Sequence, residues 1–322
     1  MQELRLLLYP FSVLYDGITS LRNYAFDRGI LEQKEYQIPI IAVGNLSTGG
    51  TGKTPMIEYL IRHFTGKKIG VLSRGYGRNT SGYIELSEND STERAGDEPL
   101  QIKRKFKNLI VSAVCEKRVD GIERLLKEHQ LDLILLDDAF QHRYVKASHY
   151  VLLTSYDMLY VDDYLLPAGN LRESRKGAQR AQTIIVTKCP ADISAIQRNE
   201  VKLKLKLLPG QQVYFSYIGY EKELQGVDHK ILLDGLRGKK VTVVTGIAKP
   251  KPFLKHLKGF IKIEHLNYSD HHDFTLQEVE TIRNKKLVIT TEKDFMRLKK
   301  HELRNLYYLP IQTEFVGKEP VL

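Results

Sequence analysis

The chain has little cysteine and no long apolar run, and each shortage excludes something. Cys115 and Cys189 are the only two cysteines in 322 residues, too far apart in sequence to make a disulfide framework or a zinc cluster. Both are expected to be reduced, as in a cytoplasmic compartment. The longest uncharged stretch near the N-terminus, residues 6–15, would cover about 15 Å as helix, against the roughly 30 Å of a bilayer's hydrocarbon core. It has no small-residue cleavage site after it and so is not a secretory signal. Internal repeats, low-complexity segments, zinc-finger spacings, arginine-rich tails and aromatic RNA-binding motifs are missing too, which argues against a nucleic-acid partner.

What remains is the balance of a globular protein, 42% hydrophobic and 27% charged, with length for two domains. A net charge of +10 calls for an anionic partner, such as a phosphorylated substrate or an acidic membrane surface.

The most informative stretch is the β-branched run at residues 38–43, followed at once by Gly44-Asn45-Leu46-Ser47-Thr48-Gly49-Gly50-Thr51-Gly52-Lys53-Thr54. A buried strand, a glycine-rich turn and Lys-Thr opening an amphipathic helix predict a phosphate loop. Glycines let successive backbone N–H groups face phosphate oxygens, and the helix N-terminus adds positive potential. Gly49, Gly50, Thr51, Gly52, Lys53 and Thr54 are therefore the expected nucleotide contacts, with Lys53 on the terminal phosphates and Thr54 on Mg²⁺. Ser47 stands where the strict pattern has glycine, so the loop is a variant.

Further strands are expected at residues 68–73, 109–114, 133–138, 150–154 and 183–187, separated by helical patterns, as a parallel sheet requires. The third of these ends in Asp137-Asp138, where phosphate-loop enzymes place a carboxylate at the metal. Arg74-Gly75-Tyr76-Gly77-Arg78 suits an anion or is a solvated turn. Gly96-Asp97-Glu98-Pro99 opens a helix, and on local sequence its carboxylates are caps. Arg172-Glu173 reads as a surface ion pair. Lys188 sits where guanine-specific proteins carry lysine, but Pro190 replaces their aspartate. Residues 1–212 are assigned to the first domain and 213–322 to a smaller α/β domain, whose one chemically rich stretch is Asp270-His271-His272-Asp273. Thr275 and Glu278 there form a capping box. Residues 4–26 predict a helix that either packs in the core or dips its apolar face into a membrane.

Taken together, the phosphate loop, Gly96-Asp97-Glu98-Pro99, Asp137-Asp138-Ala139-Phe140-Gln141-His142-Arg143, Leu166-Pro167-Ala168-Gly169-Asn170-Leu171-Arg172-Glu173, Asp270-His271-His272 and Thr291-Glu292-Lys293-Asp294 resemble the tetraacyldisaccharide 4′-kinase family, the lipid A kinases. The family pattern has glycine where this chain has Ala139. The resemblance implies a phosphate-loop α/β domain with a second, smaller α/β domain, and ATP and Mg²⁺ as cofactors. The substrate it implies is a lipid A disaccharide precursor, met at the cytoplasmic face of a Gram-negative inner membrane. It further implies Asp97 as catalytic base with His271 orienting it, Lys53 on the phosphates, and Thr54 with Asp137 or Asp138 on the metal. Arg74, Arg118, Gln141, His142, Arg172 and Glu173 are the substrate-side candidates. It favours the membrane role for the N-terminal helix. A regulatory ATPase acting on a protein partner and a soluble small-molecule kinase are the alternatives that share the nucleotide site.

Overall fold

The computed structural model describes residues 2–270 and 272–321. Its strands are, in chain order, β1 (Ile40–Asn45), β2 (Ile69–Ser73), β3 (Ile84–Glu85), β4 (Ile110–Val114), β5 (Leu133–Asp137), β6 (His149–Ser155), β7 (Thr183–Thr187) and β8 (Gln212–Tyr220). There follow β9 (Glu223–Gln225), β10 (Lys230–Leu232), β11 (Lys240–Thr245), β12 (Lys262–Asn267), β13 (Val288–Thr290), β14 (Leu306–Tyr308) and β15 (Ile311–Phe315). They build a nine-stranded sheet in the order β15-β8-β7-β6-β1-β5-β2-β4-β3 and a six-stranded sheet in the order β10-β9-β14-β13-β11-β12.

Between β8 and β4 every pairing in the large sheet is parallel, and the two-residue β3 runs antiparallel along β4. All six residues of β1 are buried, as expected of a strand covered on both faces. Ile41 and Val43 pack with Met56, Ile57 and Leu60 of the helix Lys53–His63. Ile40 and Ala42 point the other way, toward Ile122 and Leu125 of the helix Arg118–Glu128. This alternation holds β1 at mid-sheet and opens its carboxyl end, beside those of β5 and β2, where ligands bind in open parallel sheets.

Residues 1–218 and 313–322 form one compact unit, and residues 219–312 form a second. This differs from a boundary at 212/213 for a physical reason. Strand β8 is hydrogen-bonded to β7 through Phe215, and β15 returns to the large sheet. The second unit's parallel core, β14-β13-β11-β12, is flanked by the antiparallel β9 and β10.

The N-terminal segment forms the helices Gln2–Leu6 and Tyr9–Asp27, and the longer one is inverted relative to a core helix. Its polar groups face the protein. Ser12 Oγ donates to Leu165 O at 3.0 Å, Tyr15 OH to Arg172 O at 2.8 Å, Arg22 to Gln141 O at 3.1 Å and Asn23 to Glu173 at 2.9 Å. Phe11, Leu14, Ile18 and Leu21, spaced three or four apart and so on one face, are each 63–69% exposed. The apolar stripe is not core. No helix among the described residues is long and apolar enough to cross a membrane.

Candidate active site

Strand β1 ends in Asn45, a buried polar residue, and its side chain organises the turn that follows. Asn45 Nδ2 donates to Thr51 Oγ1 at 2.7 Å and Gly49 O at 3.3 Å. Gly49 and Gly52 take φ of 114° and 89°, the left-handed region where only glycine is unstrained. From β7, Thr187 Oγ1 donates to Thr51 O at 2.8 Å, and the Lys188 ammonium reaches Gly50 O. The predicted loop, Gly49 to Thr54, is thus a braced turn that delivers Lys53 and Thr54 as the first two residues of a helix.

Three strand ends converge on that helix start. Asp137, the last residue of β5, is buried, and its Oδ2 accepts from Ser73 Oγ at 3.1 Å, from the last residue of β2. Its other oxygen is buried and accepts no hydrogen bond among the described residues. Burial, with the Glu98 and Asp138 charges, pushes Asp137 up to about 6. A bare buried carboxylate oxygen is an unstable arrangement and fits the needs of a hard divalent cation.

Asp138 has a different environment. It accepts from Arg172 at 2.8 and 3.2 Å and lies 3.7 Å from the Lys53 ammonium. Burial alone would raise its pKa, but the Arg172 hydrogen bonds and the Lys53 charge hold it below the usual carboxylate range. Asp137 is therefore the carboxylate with an oxygen left to offer a cation, while Asp138 is the counterion that holds Lys53 and Arg172.

Beside this cluster is a cavity of about 340 Å³ whose wall includes Arg74, Asp138, Gln141, His142, Arg172 and Glu173. Tyr15, Thr19, Arg22 and Asn23 of the N-terminal helix close it, a contribution that the sequence motifs did not signal. Burial, together with the Arg118 and Arg74 charges, pushes His142 down to about 4, so it is a neutral imidazole near pH 7. Gln141 Nε2 donates to Asn45 O and Glu173 Oε1, both at 2.9 Å.

Two substrate candidates act from beneath the surface instead. Arg118 is 2% exposed and donates to Cys115 O at 2.5 Å and Asp137 O at 3.1 Å, tying the ends of β4 and β5. Burial lowers its pKa to about 10, leaving it charged. Glu173 is 3% exposed and pairs with Arg180 at 2.8 Å, not with Arg172 as their adjacency suggests.

Asp97 is exposed at the first position of the helix Asp97–Phe106. Gly96 sets it there, because its φ of 84° and ψ of 154° suit glycine alone. A Cβ at Gly96 would meet Tyr76 O at 2.9 Å, so the turn after β2, with Arg74, and the start of this helix are in close contact. His271 lies outside the described residues. Its neighbour His272 contacts Glu278 at 2.9 Å and stacks on Tyr268 with ring centroids 4.8 Å apart. In the 291–294 motif, buried Asp294 accepts from Gly246 N at 2.9 Å and Thr291 Oγ1 at 2.7 Å, a structural cap.

The fold and the braced loop define the class, a phosphate-loop nucleotide-binding protein. Comparison with known proteins narrows it further. Residues 4–322 match the family model described as tetraacyldisaccharide-1-P 4′-kinase. A Flavobacterium johnsoniae protein named tetraacyldisaccharide 4′-kinase is 50% identical over 325 residues, 99% of this chain and 95% of that one. A Bacteroides thetaiotaomicron protein of the same name is 42% identical over 97% of this chain and 89% of its own. Among solved structures, LpxK from Aquifex aeolicus in complex with ATP superposes with a TM-score of 0.78 at 30% identity, covering 98% of this chain and 96% of that one. The chain belongs to the tetraacyldisaccharide 4′-kinase family.

Proposed function

We propose that this chain transfers the γ-phosphoryl group of ATP to the 4′-hydroxyl of a tetraacylated disaccharide 1-phosphate in lipid A biosynthesis, working at the cytoplasmic face of the inner membrane. The observation that carries this reading is one juxtaposition. The phosphate loop and Asp137–Asp138 adjoin a cationic cavity whose outer wall is a helix with its apolar side turned to solvent.

Phosphoryl transfer needs positioning and charge neutralisation more than covalent chemistry. The loop amides and Lys53 hold the terminal phosphates, with Arg172 on the far side of Asp138 as a second cation for charge developing in transfer. Thr54 and Asp137 would hold Mg²⁺, which when bound neutralises phosphate charge and orients the γ-phosphoryl group. Asp97 takes the proton of the sugar hydroxyl; His271, the orienting partner that the resemblance implies, lies outside the described residues. Arg74 and Arg22 give the cavity its preference for an anionic, phosphate-bearing headgroup. Neutral His142 and the Gln141 amide offer hydrogen bonds suited to sugar hydroxyls. The exposed Phe11, Leu14, Ile18 and Leu21 rest in the lipid interface, so that acyl chains stay in the membrane while the headgroup enters the cavity.

Asp97→Asn tests the chemical assignment. General-base catalysis is worth about 10² to 10⁴ in rate, so kcat should fall by that factor with the KM for ATP within about twofold of wild type. Unchanged kcat would return Asp97 to the role of helix cap.

A further inference from the structure

A buried ion pair away from the nucleotide joins the two helices that carry the proposed chemistry. Glu58, in the second turn of the helix that starts at Lys53, is 3% exposed, and its Oε2 lies 2.6 Å from the ammonium of Lys105. Lys105, 14% exposed, is in the last turn of the helix that starts at Asp97. Arg62 reaches the same oxygen at 3.8 Å and lies over the ring of Phe106, 5.4 Å from its centroid. Around the pair, Met56, Ile57, Leu60 and Ile61 of one helix pack with Ile102 and Phe106 of the other.

Apolar side chains alone would fill this interface as densely, since replacing a buried ion pair by apolar groups is often neutral or stabilising. A buried carboxylate 2.6 Å from an ammonium adds to that packing a directional contact between the helices, which favours one register over its neighbours. The register matters here because of what stands at the helix starts. Lys53 is five residues from Glu58, about 7.5 Å along the axis, and Asp97 is eight residues from Lys105, about 12 Å. Helices transmit such offsets rigidly.

We propose that Glu58 and Lys105 form a positioning clamp that sets Asp97 against Lys53 and Thr54. The clamp rests on the reading of Asp97 as the base. Its other end is already fixed, since Gly96 lies against the backbone of Gly75 and Tyr76.

The test uses the full-length protein with ATP and a tetraacyl disaccharide 1-phosphate in mixed micelles. Misplacing a reacting group by about 1 Å can cost about 10²-fold, so Glu58→Gln and Lys105→Met should each lower kcat about 10- to 100-fold while the KM for ATP stays within about twofold. The single variants each remove one partner of a buried ion pair and should also melt lower. The decisive protein is therefore the double variant Glu58→Leu with Lys105→Met, which should melt at or above the wild-type temperature and still turn over at least about tenfold more slowly. Recovery of kcat together with Tm would overturn the clamp and leave the pair a matter of stability only. Lys105→Arg, which keeps the charge on a longer side chain, should lose less kcat than Lys105→Met. In an Asp97→Asn background, Glu58→Gln should add less than about a twofold loss, because the two residues act as a unit. An equal loss in both backgrounds contradicts the clamp. Normal turnover of Asp97→Asn itself contradicts the base assignment, so the two failures are told apart.

Discussion

Gly96→Ala is the substitution by which the structure makes its most specific demand. With φ at 84° and ψ at 154°, the backbone there occupies a region that costs any residue with a side chain about 1–3 kcal/mol. The added methyl would also lie 2.9 Å from Tyr76 O and 3.3 Å from Gly75 C, where ordinary contact begins near 3.4 Å. Opening that contact by about half an ångström, as close-packed interiors resist, brings the total to about 2–4 kcal/mol. At about 2–4 °C per kcal/mol for a domain of this size, Tm should fall by about 4–16 °C. Relief of the clash moves the start of the helix away from the turn after β2, and Asp97 moves with it. A base displaced on that scale predicts a kcat loss of about 10²-fold, with ATP affinity little changed because the phosphate loop is untouched. Calorimetry and steady-state kinetics on the purified variant read both numbers. A wild-type Tm would refute the backbone argument, and a lowered Tm with wild-type kcat would refute the link from Gly96 to Asp97.

The N-terminal helix yields a contrasting expectation. Leu14→Glu with Ile18→Glu should leave stability within about 0.5 kcal/mol, since both side chains are mostly exposed. Vesicle binding should weaken more than about 100-fold, from losing about 1.5–3 kcal/mol of apolar burial per residue; flotation with unaltered affinity would rule the helix out as the anchor. His142 makes stability depend on pH. Its imidazole has a pKa of about 4 in the fold against 6.5 unperturbed, so its contribution is complete above about pH 6.5 and is lost as pH falls toward 4. Between about pH 7 and pH 5 that amounts to about 2 kcal/mol. Denaturant titrations at the two pH values should show the loss in wild type and its absence in His142→Gln, and an equal loss in both would place the sensitivity elsewhere.

Much of the nucleotide side was legible in the sequence because its signals are local. A β-branched run, three glycines and Lys-Thr must lie together to work, and the apolar strand ending in Asp137-Asp138 announces its own carboxyl end. The substrate side was legible only as a set of motifs, since what distinguishes its members is burial. Arg172 and Glu173 are adjacent in sequence, yet one turns to Asp138 and the other to Arg180. Arg118 sits in a polar run and is nonetheless buried. Asn45 was missed as an organiser of the loop, although a polar residue ending an apolar strand was a signal for it. The short strands β3, β9, β10 and β14 carry too few residues for a period to register. An amphipathic helix reads the same whether its stripe meets a core or a lipid, so the outward face of the N-terminal helix had to come from the structure. The Glu58–Lys105 pair joins positions 47 residues apart that carry no shared motif.

The central claim is that one site couples ATP to a lipid disaccharide, and the transfer reaction itself tests it most directly. With γ-labelled ATP and a tetraacyl disaccharide 1-phosphate in mixed micelles, label should appear on the 4′-oxygen of the sugar. ATP consumption should rise with disaccharide and match the product formed. Lys53→Ala should reduce transfer by about 10³-fold or more, since the ammonium beside Asp138 stabilises phosphate charge in the transition state. ATP consumption indifferent to the disaccharide, or raised only by an added protein, would contradict the account.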